Sequence, residues 1–530
     1  MAAGPRQVSG RSSRRSSSFG IDQSDGSLYR QLRSNLIECD TSNGTHTFSK
    51  SSFLPLSVVD QMISKDVIKS KLSWKSSITS PSLSQHILER AKKVFAILSL
   101  CEEESSIETV FNEGLTDDHL PLSRSPETGS YNVLVSPLGS VFNSFTKFKK
   151  NVTVDDFLRA QWQLLAPVFR TPGEHIVLEQ ENPMPFSDIK KISATDMSVV
   201  YTGRLHAAHH ASEVDGEMRI AIKEFPREQD FQKERGNLDM IRNLIHPNLI
   251  KHIATCQQGI TCFVIFPWAS GGNLFDLWRS SPKASRTWRP DLFQWSFEQM
   301  FGIVDAIRAL HDKNCRHGDL KPENILHFTG SEDLKSQGNQ LGNLVVADVG
   351  VSKIHHQATE LRHEGTDTKA TTPSYEAPEV EFNRQTPRGR RYDMWSIGCM
   401  YLEFVIWLLY GFDAIVAFRE LRRPSHDPFP QKAAFYRRNE AEEPEIHPAV
   451  TEILHALGRD PRCARGTGLA DLIHIIECDL LRIDLKERVE AQELRNKFEQ
   501  ILKKARNDAD YLVKRIEPSP AIPDAFIRTY

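Results

Sequence analysis

Residues 317–324 read HGDLKPEN, from His317 to Asn324. A carboxylate, an ammonium and a carboxamide stand close together there. Working downstream, LVVADVG ends on Asp348, Val349 and Gly350. A lone Asp-x-Gly usually marks a turn. Here the apolar run before it reads as a short buried strand, and SYEAPE follows, ending at Glu379. DMWSIG begins at Asp393, and RIDLKERVEAQEL carries Arg488. Working upstream, SVVYTGRL, RIAIKEF and CFVIFPW are alternating, β-branched runs of the kind that form antiparallel strands. Ala221 and Lys223 lie in the second of them. After Gly271 and Gly272 the pattern turns mainly helical.

In this order the stretches resemble the eukaryotic-type protein kinase superfamily, and order and spacing together are specific. The resemblance covers the C-terminal part of the chain and says nothing about residues 1–170. It implies an α+β, bilobal fold over residues 186–505, with a small antiparallel β lobe over about 186–270 and a large helical lobe over about 271–505. It also implies roles. Asp319 would accept the proton of a substrate hydroxyl, and Lys321 would sit near the transferring phosphoryl group. Asn324 and Asp348 would hold Mg²⁺ bridging the phosphates of ATP. Lys223 would pair with the α- and β-phosphates and with a helical Glu. Lys321 in DLKPEN, and Thr372 near Asp319, resemble Ser/Thr kinases. Phe266 would be the gatekeeper of the adenine pocket and Pro267 to Ala269 its hinge. Val200, Ala221 and Leu326 would sandwich the base. A Glu379–Arg488 ion pair would be structural.

Four features depart from the family pattern. Aligning ISATDMSVVY on the Gly-rich loop puts Ser193, Thr195 and Ser198 at its three Gly positions. Gly permits close backbone approach to phosphate, so a stiffer loop and weaker nucleotide binding are expected. The usual position of the helical Glu holds Asn237, whereas Glu234 lies about one turn earlier on nearly the same face. Glu234 is the candidate; the alternative is a solvated Glu in QKER. Gly318 replaces the Arg of H-R-D, as in "non-RD" kinases, so a phosphate on the activation segment, Asp348 to Glu379, finds no guanidinium there. Val349 replaces a Phe, apolar for apolar.

The rest of the chain bounds the reading. A formal net charge of -3, with 39% hydrophobic and 25% charged residues, is that of an ordinary soluble protein. It offers no global basic field for nucleic acid. Eight scattered cysteines form no C-x-x-C pair and read as reduced thiols of an intracellular protein, cytoplasmic or nuclear. The longest apolar region, Met394 to Phe418, is interrupted by Glu403 and Asp413. Neither uncharged part reaches the ~18 residues of a membrane span, and a helix buried on all sides is expected.

Residues 1–26, rich in Ser and Arg, lack the apolar core of a signal peptide and are expected to be disordered. Residues 27–170 read as a mainly helical domain. LSQHILERAKKVFAILSLC places Ile87, Ala91, Val94 and Leu98 at helical spacing, and VDDFLRAQWQLLAPVF places Phe157, Ala160, Leu164 and Leu165 on one side. A helical segment before the kinase is similar to that in kinase-domain proteins of filamentous fungi. Residues 506–530, with Pro518, Pro520 and Pro523, read as an extended tail.

Two functions are weighed. One is a kinase moving the γ-phosphate of ATP, with Mg²⁺, to Ser or Thr of a protein substrate. The other is a pseudokinase or scaffold that binds partners without turnover. Retention of Lys223, Asp319, Lys321, Asn324 and Asp348 favours the first, because charged groups that neutralise and aim phosphate carry most of the catalysis. No residue pattern points to an oligomeric state.

Overall fold

The computed structural model describes residues 27–39, 51–72, 81–126, 130–148, 152–211, 216–280, 289–329, 341–349, 373–382, 389–423, 433–508, 510–516 and 520–526. The tail expected to be disordered, residues 1–26, lies outside them. The described residues fall into two compact units. One takes the chain up to Val168 together with Glu181–Pro185; the other takes Phe169–Gln180 and the chain from Phe186 onward.

The first unit carries helices α1 (Leu28–Ser34), α2 (Leu56–Met62), α3 (Lys65–Leu72), α4 (Pro81–Arg90), α5 (Lys92–Leu100), α6 (Ile107–Asn112) and α7 (Val152–Gln163). The helix expected through LSQHILERAKKVFAILSLC is divided at Ala91, whose φ of -139° and ψ of 29° are not helical. The cause lies far along the chain. The Asp117 carboxylate accepts hydrogen bonds from the Lys93 and Val94 amides at 3.1 and 2.9 Å, satisfying donors that a fresh helix start leaves open. Helix α5 is the centre of the unit, with Val94 through Ser99 all buried. Short strands interrupt the helical reading. β1 (Ile37–Glu38) pairs with β2 (Ser52–Phe53), and β3 (Ser123–Arg124), β4 (Leu134–Val135) and β5 (Val141–Phe142) form a three-stranded sheet.

The second unit has the expected α+β, bilobal architecture. Its sheet uses β6 (Glu174–Leu178), β7 (Phe186–Ala194), β8 (Val199–Leu205), β9 (Met218–Phe225), β10 (Ala254–Gln258) and β11 (Thr261–Pro267), in the order β6-β10-β11-β9-β8-β7. Only the β6–β10 pairing is parallel. Period-two alternation on β9 buries Ile220 and Ile222 and turns Ala221 and Lys223 to the other face. Helix α8 (Glu228–Ile241) follows β9, then α9 (Leu274–Ser280) and α10 (Pro290–Asp312) open the helical lobe. A hairpin of β12 (Ile325–Phe328) and β13 (Asn343–Val346) lies between the lobes' motifs in sequence.

The apolar run of Met394 to Phe418 is not one helix. It splits at Gly411, φ 85°, into Arg391–Tyr410 and Phe412–Leu421. Every residue from Tyr392 to Tyr410 is buried, so this helix is core on all sides. Among the described residues no helix is long and apolar enough to cross a membrane. The C-terminal helix Ala491–Asn507 is followed by chain that is held rather than solvated. Tyr511 and Leu512 accept backbone bonds from Gly468 and Leu469 at 2.7 and 3.0 Å, and Phe526 packs 5.3 Å from the Tyr410 ring.

Glu403, 1% exposed, sits inside this helical core. Arg422 donates to it at 2.8 Å, Arg419 at 2.9 and 3.1 Å, and the Tyr375 hydroxyl at 2.7 Å. Burial alone would raise its pKa, but the two guanidiniums hold it below the usual Glu range. Glu403→Gln would strand the buried Arg422 and the half-buried Arg419 and is expected to cost about 3–5 kcal/mol in urea denaturation at neutral pH. Because the folded pKa is depressed, the stabilisation is complete above the unfolded value, about 4.3, and fades as pH falls through the folded one. The gap between wild type and variant should therefore narrow between pH 5 and pH 3; a constant gap would place the loss elsewhere.

Candidate active site

Lys223 projects from the face of β9 opposite its buried isoleucines, and its ammonium meets two carboxylates. Glu234 Oε1 lies 3.2 Å away and Asp348 Oδ1 2.6 Å away. Glu234 thus points inward from α8 and is 6% exposed, which excludes the solvated-Glu alternative. Burial alone would lower the Lys223 pKa, yet Asp348 and Glu234 hold it above its ordinary value. Burial presses Glu234 upward, opposed by Lys223. Lys223 holds Asp348 down. Leu238, one turn beyond Glu234, is buried in the same apolar cluster as Val349. The smaller Val is therefore accommodated at that position.

Asp348 ends the run after β13 with a φ of 60°, a left-handed conformation that ordinary residues enter at a cost. Its neighbour Ala347 is tied to the HGDLKPEN loop twice. The Ala347 amide donates to the Asn324 carbonyl at 2.9 Å, and His317 Nε2 donates to the Ala347 carbonyl at 2.7 Å. Within the loop, Lys321 Nζ meets Asp319 Oδ2 at 2.8 Å. Asn324 Nδ2 donates to the Asp319 carbonyl at 2.8 Å and to Asp319 Oδ2 at 3.1 Å, which turns its own Oδ1 away from Asp319.

A residue that sequence reasoning passed over organises this loop. Asp393, fully buried, accepts from His311 Nε2 at 2.8 Å, from the His317 amide at 2.9 Å and from the Gly318 amide at 2.8 Å. Its signal was a carboxylate opening a largely apolar helix. Gly318 makes its bond with a φ of 80°, the region that Gly enters most freely.

The other candidates lie on the sheet of the small lobe, at the hinge and on β12 and later segments of the large lobe. Val200 pairs with Lys223 across β8 and β9, and Ala221 pairs with Phe266 across β9 and β11. Pro267 ends β11, and the Ala269 carbonyl accepts from the Gly272 amide at 3.2 Å. Leu326 on β12 bridges to Asn273 just past the hinge. Ser193, Thr195 and Ser198 surround the β7–β8 turn. There the Thr195 hydroxyl accepts from the Met197 and Ser198 amides at 3.3 and 3.1 Å. Arg488 meets Glu379 with two parallel bonds of 2.8 Å, the bidentate pair expected. Thr372 lies outside the described residues.

The sequence model of the protein kinase domain matches residues 197–497. The chain belongs to the protein kinase family. The chain is 30% identical over 182 residues to calcium/calmodulin-dependent protein kinase type 1 of Macrobrachium nipponense, covering 34% of the chain and 46% of that protein. It is 31% identical over 195 residues to a calcium/calmodulin-dependent protein kinase of Metarhizium anisopliae, covering 35% and 44%. It is 29% identical over 204 residues to CBL-interacting serine/threonine-protein kinase 16 of Arabidopsis thaliana, covering 37% and 40%. The chain thus spans less than half the length of each of these relatives.

The backbone at Gly318 carries a test. A side chain at φ 80° is expected to cost about 1–2 kcal/mol. Gly318→Ala should therefore lower the urea midpoint at unchanged slope; an unchanged midpoint would show that the loop is not held in this conformation.

Proposed function

We propose that the chain is an active kinase that transfers the γ-phosphate of ATP to Ser or Thr of a protein substrate. One observation carries the reading: Lys223 is held between Asp348 at 2.6 Å and Glu234 at 3.2 Å. Asp319, Lys321 and Asn324 are gathered on a loop bonded to Ala347, the residue before Asp348.

The donor set fits the groups the family uses. The Asp348 carboxylate and the Asn324 carboxamide oxygen are hard oxygen ligands, the kind that Mg²⁺ takes. Bound with ATP, Mg²⁺ would neutralise phosphate charge. Lys223 binds the α- and β-phosphates, and Glu234 holds Lys223 in place. Val200, Ala221 and Leu326 enclose the adenine, Phe266 closes the pocket behind it, and Pro267 and Ala269 offer backbone groups to its edge. Asp319 takes the acceptor hydroxyl proton as that oxygen bonds to the γ-phosphorus. The bond from the γ-phosphorus to the β–γ bridging oxygen breaks, and ADP leaves with its electron pair. Lys321 faces the charge spread over the transferred group. Preference for Ser and Thr rests on Lys321 in its DLKPEN setting and on the serine/threonine kinase among the relatives.

The test is transfer from γ-labelled ATP to a peptide library by the purified full chain. Asp319→Asn should lower the rate by about 10²-fold or more, the usual contribution of a positioned base. Equal rates in wild type and variant, or none in either, would leave the scaffold reading in place.

The β7–β8 turn sets a second expectation. Thr195 occupies two amides that would otherwise face phosphate. Releasing them is worth about 1 kcal/mol per bond. Thr195→Gly is expected to lower KM for ATP by up to about thirtyfold with kcat unchanged, the signature of improved ground-state binding. A KM that stays or rises would show that the turn does not limit nucleotide binding.

A further inference from the structure

The sheet contains a strand that none of the motifs required. Chain from the first unit enters the second at Phe169, forms β6 and returns at Glu181. β6 lies parallel to β10, Glu174 to Leu178 against Ala254 to Gln258, and so extends the sheet at that edge. Its C-terminal end is stapled by Gln258, whose side-chain amide donates to the carbonyls of Glu179 and Gln180 at 3.2 Å each.

The contacts of this strand converge on α8. The His175 ring lies 6.1 Å from that of Phe231, a fully buried residue of α8. Its Nδ1 is 2.9 Å from the hydroxyl of Thr255 on β10, which fixes the ring between strand and helix. Phe231 is three residues before Glu234 and shares its face of the helix. Just before the strand, Gly173 donates to the Ile253 carbonyl at 2.8 Å with a φ of 73°. A Cβ there would come within 3.1 Å of the His252 ring and 3.3 Å of Cγ of Arg242, the residue that caps α8. His252 in turn meets the Phe266 ring edge-on at 6.4 Å. One short segment therefore touches the inner face of α8, its C-terminal end and the loop leading to β10.

We propose that β6 is a positioning strand for α8, setting the Lys223–Glu234 pair through His175 against Phe231 and Gly173 against His252. The inference rests on the kinase reading of that pair. It supplies from within the chain an ordering that Gly318, without a guanidinium, cannot draw from a phosphorylated activation segment. His175 is a positioning residue: it acts on Glu234 through Phe231 and touches neither nucleotide nor substrate.

The experiment compares the full chain with His175→Ala, His175→Phe and Thr255→Val, using Val177→Ala on the exposed side of the strand as control. Hydrogen exchange is followed in α8 and in α10, beside ATP turnover. His175→Ala should speed exchange of the α8 amides about tenfold while α10 stays at the wild-type rate, since local opening is read separately from global opening. Turnover should fall by a similar factor through kcat, with KM for the peptide unchanged. His175→Phe should recover most of both, Thr255→Val should show a smaller change in the same direction, and Val177→Ala should match wild type. Wild-type α8 exchange in folded His175→Ala would overturn the proposal. So would a loss of protection that is equal in α8 and α10 for both His175→Ala and Thr255→Val. If wild type shows no turnover at all, the kinase reading falls, and α8 exchange still decides whether β6 holds the helix.

Discussion

The active-site half of the molecule hangs on one buried carboxylate. Asp393 has no exposed surface, and an ionised group there is tolerable only because three N–H donors converge on it. Burial by itself would raise its pKa; those donors, led by His311, hold it below the ordinary Asp range. Its position in the first turn of a helix adds the favourable end of the helix dipole. The three bonds join the end of α10, the catalytic loop and the central helix at one point. From that point the order passes on: His317, fixed through its amide, uses its ring to hold Ala347, and Ala347 carries Asp348 with it. Asp319 and Asp348 are thus placed from the same charge, although the two lie on separate segments.

Lys223 plays the matching part in the small lobe. With Glu234 and Asp348 it forms a group of one cation and two carboxylates. Electrostatics separates the two acids. Asp348 is the closer, and the ammonium holds it down; Glu234 is deeper, where burial pushes toward the neutral form and Lys223 is the main group that resists. On the proposed reaction, Lys223 would turn to phosphate and Asp348 would hold Mg²⁺. Glu234 then becomes the remaining carboxylate partner of Lys223, and its buried charge is better compensated than before. The pair at 3.2 Å is therefore the contact that outlasts nucleotide binding, and the one at 2.6 Å is the contact that nucleotide replaces.

Much of this arrangement was legible in the residues. The motifs and their order pointed to the bilobal fold, and the alternation in RIAIKEF put Lys223 opposite Ile222. The three-residue step from Asn237 brought Glu234 to the Lys223 ammonium because helical periodicity allows few alternatives. What could not be read depended on partners distant in sequence. The break at Ala91 exists because Asp117 offers its carboxylate to the first amides of α5. The division at Gly411 needed knowledge that the chain must reverse there, in a run that is largely apolar on both sides of the break. Asp393 looked like a helix-start residue because its three donors come from two other segments. β6 is the clearest case: EHIVL is too short to show a period, and its meaning lies wholly in the strand and helix it meets.

The departures from the family pattern have different physical standing. At Val349 a smaller side chain sits in a buried cluster with Leu238, so packing has absorbed the change. At Gly318 two effects are bound together. A side chain at φ 80° would carry about 1–2 kcal/mol of strain, and an Arg there would also bring a charge beside the fully buried Asp393. Gly removes the strain and the charge together, and leaves the amide bond to Asp393 as the loop's anchor. The phosphate turn is a different matter, because nothing has repacked to restore what Gly would allow. Thr195 satisfies the turn's amides from within, which makes the turn stable by itself and less available to a ligand. A loop ordered without its ligand exchanges affinity for definition. On the proposed reaction, the weight of nucleotide binding would therefore shift from backbone amides to Lys223 and the oxygen donors at Asp348 and Asn324.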